Sequence, residues 1–261
     1  MTKEELVNKL LDYFINEDKR LLNYKIPDNY KDKRKFLRGI INLRKPNPLA
    51  EEILELDDQL LQLELKEKVI TDSKDIPLIE DKIGIWLGDI TTLKVEAIVN
   101  ACNSYLLGCF VPNHSCIDNA IHSFAGIRLR IACNELMQGK EEKTGLAKIT
   151  RAFNLPSNYV IHTVGPIVSK TLTDKEINEL KSCYISCLEL AHNNKIRTIA
   201  FSSVSTGVFK FPKDKASEIA VNTVRNYLKK YPDSFDMIIF NVFTKEDKSY
   251  YDRLFKDKRH D

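Results

Sequence analysis

Over the first 70 residues, apolar positions recur at helical spacing. Leu6, Leu10, Leu11, Phe14 and Ile15 mark one run, and Pro27 closes it. Phe36, Leu37, Ile40, Ile41 and Leu43 mark a second, interleaved with Lys31, Lys33, Arg34, Lys35, Arg38, Arg44 and Lys45 and broken by Pro46 and Pro48. A third, from Leu49 to Lys68, is leucine-rich and opens acidic, with Glu51, Glu52, Glu55, Asp57 and Asp58. The basic and acidic runs either attract each other as neighbouring helices or form separate solvated faces. Either way the pattern predicts a helical subdomain over 1–74 that packs on the remainder of the chain.

After a polar stretch, Thr71 to Asp75, short apolar runs alternate with helical ones. Strands are predicted at Ile83–Leu87, Ala97–Asn100, Ala147–Ala152, Tyr159–Val164, Thr198–Ser203 and Met237–Val242. Helices are predicted at Ile117–Met137, Asp174–His192, Asp214–Lys230 and Lys245–Lys256. Strands alternating with helices of these lengths imply an α/β sandwich over 75–261 with a largely buried sheet. In such sheets ligands sit in the loops beyond the strand C-termini, which directs attention to those loops.

Composition narrows the function classes. No run of about 18 apolar residues exists to span a membrane. MTKEELVNKLLDYF has no uninterrupted apolar core of a signal peptide, so a cytoplasmic location is expected. A net charge of +3 is too mild to argue for nucleic acid, although the basic 31–45 segment keeps that reading open. The cysteines are unevenly placed. None occurs before Cys102; then Cys102, Cys109 and Cys116 fall close together, followed by Cys133, Cys183 and Cys187. In a cytosolic chain such clustering points to metal or thiol chemistry before disulfides.

Three loops carry candidate chemistry. Gly88-Asp89-Ile90-Thr91 follows a strand, and its aspartate suits either a ligand amine or a helix N-cap. Ser205-Thr206-Gly207-Val208-Phe209 follows another strand and precedes a helix. Its hydroxyls and backbone amides suit an anion such as phosphate, and a tight turn explains its glycine equally well. There is no Walker A sequence and no GxGxxG, which argues against a dinucleotide-binding Rossmann domain. The third loop contains Cys109, His114 and Cys116 at C-x4-H-x-C spacing. Two thiolates and an imidazole suit zinc with a fourth position open; a disulfide, buried thiols or a closed structural site are the alternatives. His162 and Trp86 read as core, as do Cys133, Cys183 and Cys187. His122 shares a helix face with Asp118, as a structural residue or a support to the site, and Cys102 falls just past a strand end, a buried thiol first and a fourth ligand second.

Together the segments GDIT (88–91), AIVNACN (97–103), DNAIHSFAG (118–126), VIHTVGP (160–166), SSVSTGVFKFP (202–212) and the final strand with Phe243 resemble a macrodomain, the ADP-ribose-binding fold. The Cys109-His114-Cys116 cluster and the helical extension resemble the zinc-containing macrodomains of microbial protein-ADP-ribose hydrolases. The resemblance implies a three-layer macrodomain sandwich, a mixed central sheet with flanking helices, preceded by the extension. It implies that Asp89, with the Ile90 backbone, holds the adenine amine, that Ser205, Thr206, Gly207, Val208 and Phe209 cradle the diphosphate, and that Phe243 stacks on adenine. Asn103 would orient the distal ribose, Asn119 would line the site beside it, and Asp118 would supply the acidic group of the ribose loop, making Asn103 and Asp118 the catalytic pair.

Two departures stand out. The usual glycine run is replaced by the metal cluster, with fourteen residues between Asn103 and Asp118, and Lys210 stands where a glycine often follows the loop's aromatic. The implied activity is removal of mono-ADP-ribose from a protein side chain, through an Asp or Glu ester, with one Zn2+ per chain. ADP-ribose would be the product ligand and a cognate ADP-ribosyltransferase would act in the same pathway. The competing expectation is a reader module that binds ADP-ribose without turnover, since the fold alone does not decide.

Overall fold

A computed structural model describes residues 1–256. Three helices come first: α1 (Lys3–Glu17), α2 (Tyr30–Leu43) and α3 (Glu51–Leu65). Thr2 and Glu5 form a capping box on α1, and Asn29 caps α2 through the Asp32 N–H. Leu6, Leu10, Leu11, Phe14, Leu37, Leu54 and Leu60 close a core of their own, to which the following domain contributes Ile127.

Beyond them lie β1 (Thr71–Asp72), β2 (Leu78–Glu80), β3 (Ile83–Leu87), β4 (Leu93–Lys94), β5 (Ala97–Cys102), α4 (Ile117–Ala125), α5 (Ile127–Met137), β6 (Ala147–Arg151) and β7 (Tyr159–Val164). The chain continues with α6 (Asp174–Asn193), β8 (Thr198–Phe201), α7 (Lys213–Lys230), β9 (Met237–Val242) and α8 (Lys245–Lys256). Seven strands form one mixed sheet in the order β2-β3-β9-β8-β5-β7-β6, with antiparallel edges and five parallel strands between; β1 and β4 pair separately. The inner strands are apolar on both faces because both are covered. Ile98, Val160, Ala200 and Ile239 face α4 and α5, while Val99, Ile161, Ile199, Phe201 and Phe240 face α6, α7 and α8. The N-terminal helices cover α4 and α5 from outside.

Several expected boundaries change. The helix expected over Ile117–Met137 is two helices broken at Gly126, whose φ of 95° is left-handed. There the Asp57 carboxylate accepts the Ile127 N–H at 2.9 Å, capping α5 from α3. Cys102 lies inside β5 rather than past its end, and Trp86 is half-buried, its ring filling the space a side chain on Gly88 would occupy. The strand expected to reach Ser203 stops at Phe201, which lengthens the loop after it. The acidic face of α3 pairs mainly with α5, Arg128 bonding Asp58 and Glu51, and meets basic α2 through Arg34 and Glu64 at 2.6 Å. No described helix is long and apolar enough to cross a membrane.

Candidate active site

Five parallel strands end on one edge of the sheet, and every loop singled out in the sequence lies there. Asn241, on β9, donates to the Gly88 carbonyl at 2.9 Å, and the Gly88 N–H bonds the Val242 carbonyl at 3.0 Å, so the Asp89 turn and Phe243 are held side by side. Asp89 serves as a cap after all: its Oδ1 accepts from the Thr91 N–H at 3.0 Å and the Thr91 hydroxyl at 2.7 Å. Its Oδ2 makes no hydrogen bond among the described residues, so the cap leaves an acceptor for a ligand. Ile90 is buried, and Phe243 is 76% exposed.

In the loop after β8, Ser205 and Lys210 adopt left-handed φ values of 64° and 57°. Lys210 thus holds the conformation a glycine would supply, with its side chain exposed. Gly165 makes room for Ser205, since any side chain there would collide with the Ser205 hydroxyl. That hydroxyl is buried without a partner among the described residues, and Thr206 donates to the Ser203 carbonyl at 3.0 Å. Among the described residues the amides of Thr206, Gly207, Val208 and Phe209 find no protein acceptor. Val208 is exposed and Phe209 half-buried. A run of free amides beside an orphaned hydroxyl fits an anion.

The loop after β5 is tied inward. Asn103 donates to the Gly108 carbonyl at 2.9 Å and approaches Asp118 Oδ2 at 3.5 Å, while its own oxygen accepts the Tyr105 N–H. Asp118, in the first turn of α4, is buried, and its Oδ1 accepts from Asn100 at 2.8 Å. Burial raises its carboxyl to about 6, against the Asn100 hydrogen bond and Arg130, which lower it. Asn119 is wholly buried, and its amide donates to the Val111 carbonyl at 3.0 Å and accepts from Arg38 at 2.8 Å. Both ends of this side chain, expected to line the site, are thus engaged by the loop and by α2.

Cys109, His114 and Cys116 converge, their donor atoms all within 4.8 Å of one another. Cys109 Sγ lies 3.6 Å from His114 Nδ1. Ligands about 2.3 and 2.0 Å from one tetrahedral centre are separated by about that much, so the pair fits zinc. Cys116 Sγ also caps α4, accepting the Asn119 N–H at 3.4 Å, and a thiolate there is favoured by the helix N-terminus. Burial chiefly, with the neighbouring Cys109 sulfur, pushes the Cys116 thiol up to about 11 against the Asn119 N–H, which lowers it; a cation beside it would favour the thiolate.

Beneath this loop His122 and His162 are core residues. His162 meets the Thr150 hydroxyl at 2.9 Å and is pushed down to about 3 by burial. His122, lowered by burial and by His162, lies 3.6 Å from Asp118 and fills the space beside Gly108. Sequence reasoning missed Arg38 and Asn42, which reach this loop from α2. The signal for them was Gly39, a glycine in the middle of a helical run.

A sequence profile of the Macro domain matches residues 99–220. A protein-ADP-ribose hydrolase of Treponema medium is 45% identical over 260 residues, covering 97% of this chain and 99% of that protein. One of Staphylococcus aureus (strain MRSA252) is 45% identical and covers 94% of each. Among solved structures, a Trypanosoma brucei macrodomain in complex with ADP-ribose matches with a TM-score of 0.66 and 28% identity over 83% of this chain and 94% of that one. An Oceanobacillus iheyensis macrodomain with ADP matches with a TM-score of 0.62 and 37% identity over 71% of this chain and 96% of that one. The chain belongs to the macrodomain family, among relatives named protein-ADP-ribose hydrolases.

Proposed function

We propose that this chain hydrolyses the bond between mono-ADP-ribose and a protein side chain, taking Asp and Glu esters, with one zinc ion held by Cys109, His114 and Cys116. The observation that carries the proposal is the convergence of these three donors two residues before a buried carboxylate, Asp118, in the loop that replaces the usual glycine run. Holding ADP-ribose needs no Lewis acid, so an open three-ligand set favours a hydrolase over a reader.

When bound, zinc supplies a Lewis acid beside the distal ribose. The chain's own groups divide the rest. Asp89 Oδ2 accepts the adenine amine and Phe243 covers its ring. The free amides of Thr206 to Phe209 bind the diphosphate, fixing the ribose over the Cys109–Cys116 loop. Asn100 holds Asp118 Oδ1, leaving Oδ2 to take a proton from the attacking water, and Asn103 beside it orients the ribose. The products are ADP-ribose and the free carboxylate side chain. A transferase that attaches ADP-ribose must supply the substrate.

Hydrolysis of a protein mono-ADP-ribosylated on Asp or Glu, set beside one modified on Ser and paired with metal analysis before and after chelation, tests this. Stoichiometric zinc and chelator-sensitive release from the ester substrate are expected. Turnover that survives chelation refutes the zinc reading, faster release from Ser refutes the ester preference, and zinc with no turnover leaves a reader.

A further inference from the structure

The metal loop is gripped by the N-terminal extension. Asn42, near the end of α2 and buried, accepts the Asn113 N–H on its Oδ1 at 2.9 Å and donates to the Ser123 hydroxyl at 3.1 Å. Asn113 precedes His114 and sits at a left-handed φ of 54°, a conformation asparagine tolerates better than most residues, and the bond to Asn42 fixes it there. One turn earlier, Arg38 bonds Ser123 and the Asn119 oxygen at 3.1 and 2.8 Å, and Asn119 in turn holds the Val111 carbonyl and donates its N–H to Cys116 Sγ.

Between them Gly39 lets the loop come close. A Cβ there would lie 3.0 Å from the side-chain Nδ2 of Asn113 and 3.6 Å from the Pro112 Cβ. The grip is locked from the far side by Arg130 of α5, whose guanidinium donates to the Ile41, Asn42 and Arg44 carbonyls that end α2. The contacts that α2 itself makes join positions 71 or more residues apart, reaching Asn113 inside the segment from Cys109 to Cys116 and Asn119 and Ser123 just beyond it.

We infer that Arg38, Gly39 and Asn42 are positioning residues of the metal centre, so that the extension forms the outer shell of the active site. They touch the backbone and side chains beside the donors, never the donors' metal-facing atoms, and they hold His114 and the two sulfurs at ligating separation before metal arrives. Outer contacts of this kind set metal affinity as strongly as they set geometry. The inference rests on the zinc reading above.

It is tested on the full-length chain by chelator competition for Zn2+, by the thiolate-to-metal absorption of the Co2+-substituted protein, and by thermal melting without metal. Asn42→Ala and Gly39→Val are each expected to weaken Zn2+ about 10–100-fold and to alter the Co2+ spectrum. Asn42→Asp, which keeps the oxygen facing the Asn113 N–H, is expected to recover most of that loss. Arg128→Ala, which loosens the docking of α3 on α5 away from the loop, is expected to lower the melting temperature and leave Zn2+ affinity within about twofold.

Wild-type affinity in both Asn42→Ala and Gly39→Val overturns the inference, as does an equal loss in Arg128→Ala, which would mark general destabilisation. A wild-type chain that binds no Zn2+ overturns the reading beneath it instead. Should Asn42→Ala lack a cooperative melt, Gly39→Ala, which favours the helix and crowds only the loop, decides in its place.

Discussion

Asn103, Cys109, Cys116 and Asn119 all find partners inside the protein, whereas the amides of Thr206 to Phe209 find none among the described residues. Both loops contain non-glycine residues in left-handed conformations, Leu106 and Asn113 in the first, Ser205 and Lys210 in the second. In the first loop the strain is offset by hydrogen bonds from α2 and α4. In the second, Ser205 and Lys210 bond Phe211 and Gly207 through their backbones, while the amides of Thr206 to Phe209 have no acceptor among the described residues. On the proposed function, the difference separates a preorganised half, where chemistry needs fixed geometry, from a recognition half to be completed by its ligand.

The separation is broken most directly by removing a metal donor. Cys109→Ala is expected to lower kcat/KM about a thousandfold, the several kcal/mol a Lewis acid supplies, while ADP-ribose affinity measured by calorimetry changes by less than about fivefold. If affinity falls as steeply as turnover, the two loops form one unit and the comparison fails.

The anchoring of the preorganised half is tested through pH. Burial raises Asp57 to about 6 where it caps α5, against the Ile127 N–H, which lowers it. The folded protein therefore keeps this proton over a range in which the unfolded chain, near 3.9, has released it. The group's contribution is fully present below about pH 4 and is lost as pH rises to about 6. In Asp57→Asn that loss is absent. Denaturant unfolding at pH 4 and pH 6.5 should show the variant gaining on the wild type by up to about 3 kcal/mol. A stability difference that stays constant between the two pH values would show that folding leaves the Asp57 carboxyl at its unfolded-chain value.

These two halves were unequally legible in the sequence. The inner strands announce themselves as continuous apolar runs because both faces are covered, and β7 and β9 fall where expected. The break at Gly126 is hidden because Ile121, Ala125, Leu129 and Cys133 keep helical spacing across it, and only the backbone turns. β2 is three residues long at the sheet edge, too short to show alternation. The donor spacing of Cys109, His114 and Cys116 is local and could be read directly. The grip of Arg38 and Asn42 left only an indirect mark, Gly39 within a helical run, because no local pattern records a contact across 71 residues or more. The engagement of Asn119 is hidden for the same reason, its partner Arg38 being 81 residues away.

On the recognition side, Asp89→Ala removes both the cap on Thr91 and the free Oδ2. Loss of a charge-assisted hydrogen bond to the adenine amine should weaken ADP-ribose by about 1.5–3 kcal/mol in calorimetry. The cap contribution appears separately, as about 1 kcal/mol of stability in denaturant unfolding. Unchanged affinity with reduced stability would leave Asp89 as a cap alone and move adenine elsewhere.

The smallest effect gives the cleanest discrimination. Phe243 follows β9 with three-quarters of its surface exposed, so truncating it leaves no cavity and strands no polar group. Phe243→Ala should therefore leave unfolding free energy within about 0.5 kcal/mol. If adenine lies on the ring, ADP-ribose affinity should still fall by about 0.5–1.5 kcal/mol, the worth of an aromatic stack. Because the fold does not depend on this side chain, any loss of affinity measures ligand contact directly. Phe243→Tyr, which keeps the ring, should restore it, and Phe243→Leu, which keeps apolar area without a π face, should restore it only in part. Full recovery with leucine would mean that the edge of the cleft offers hydrophobic cover rather than stacking, and the recognition half would then rest on Asp89 and the free amides.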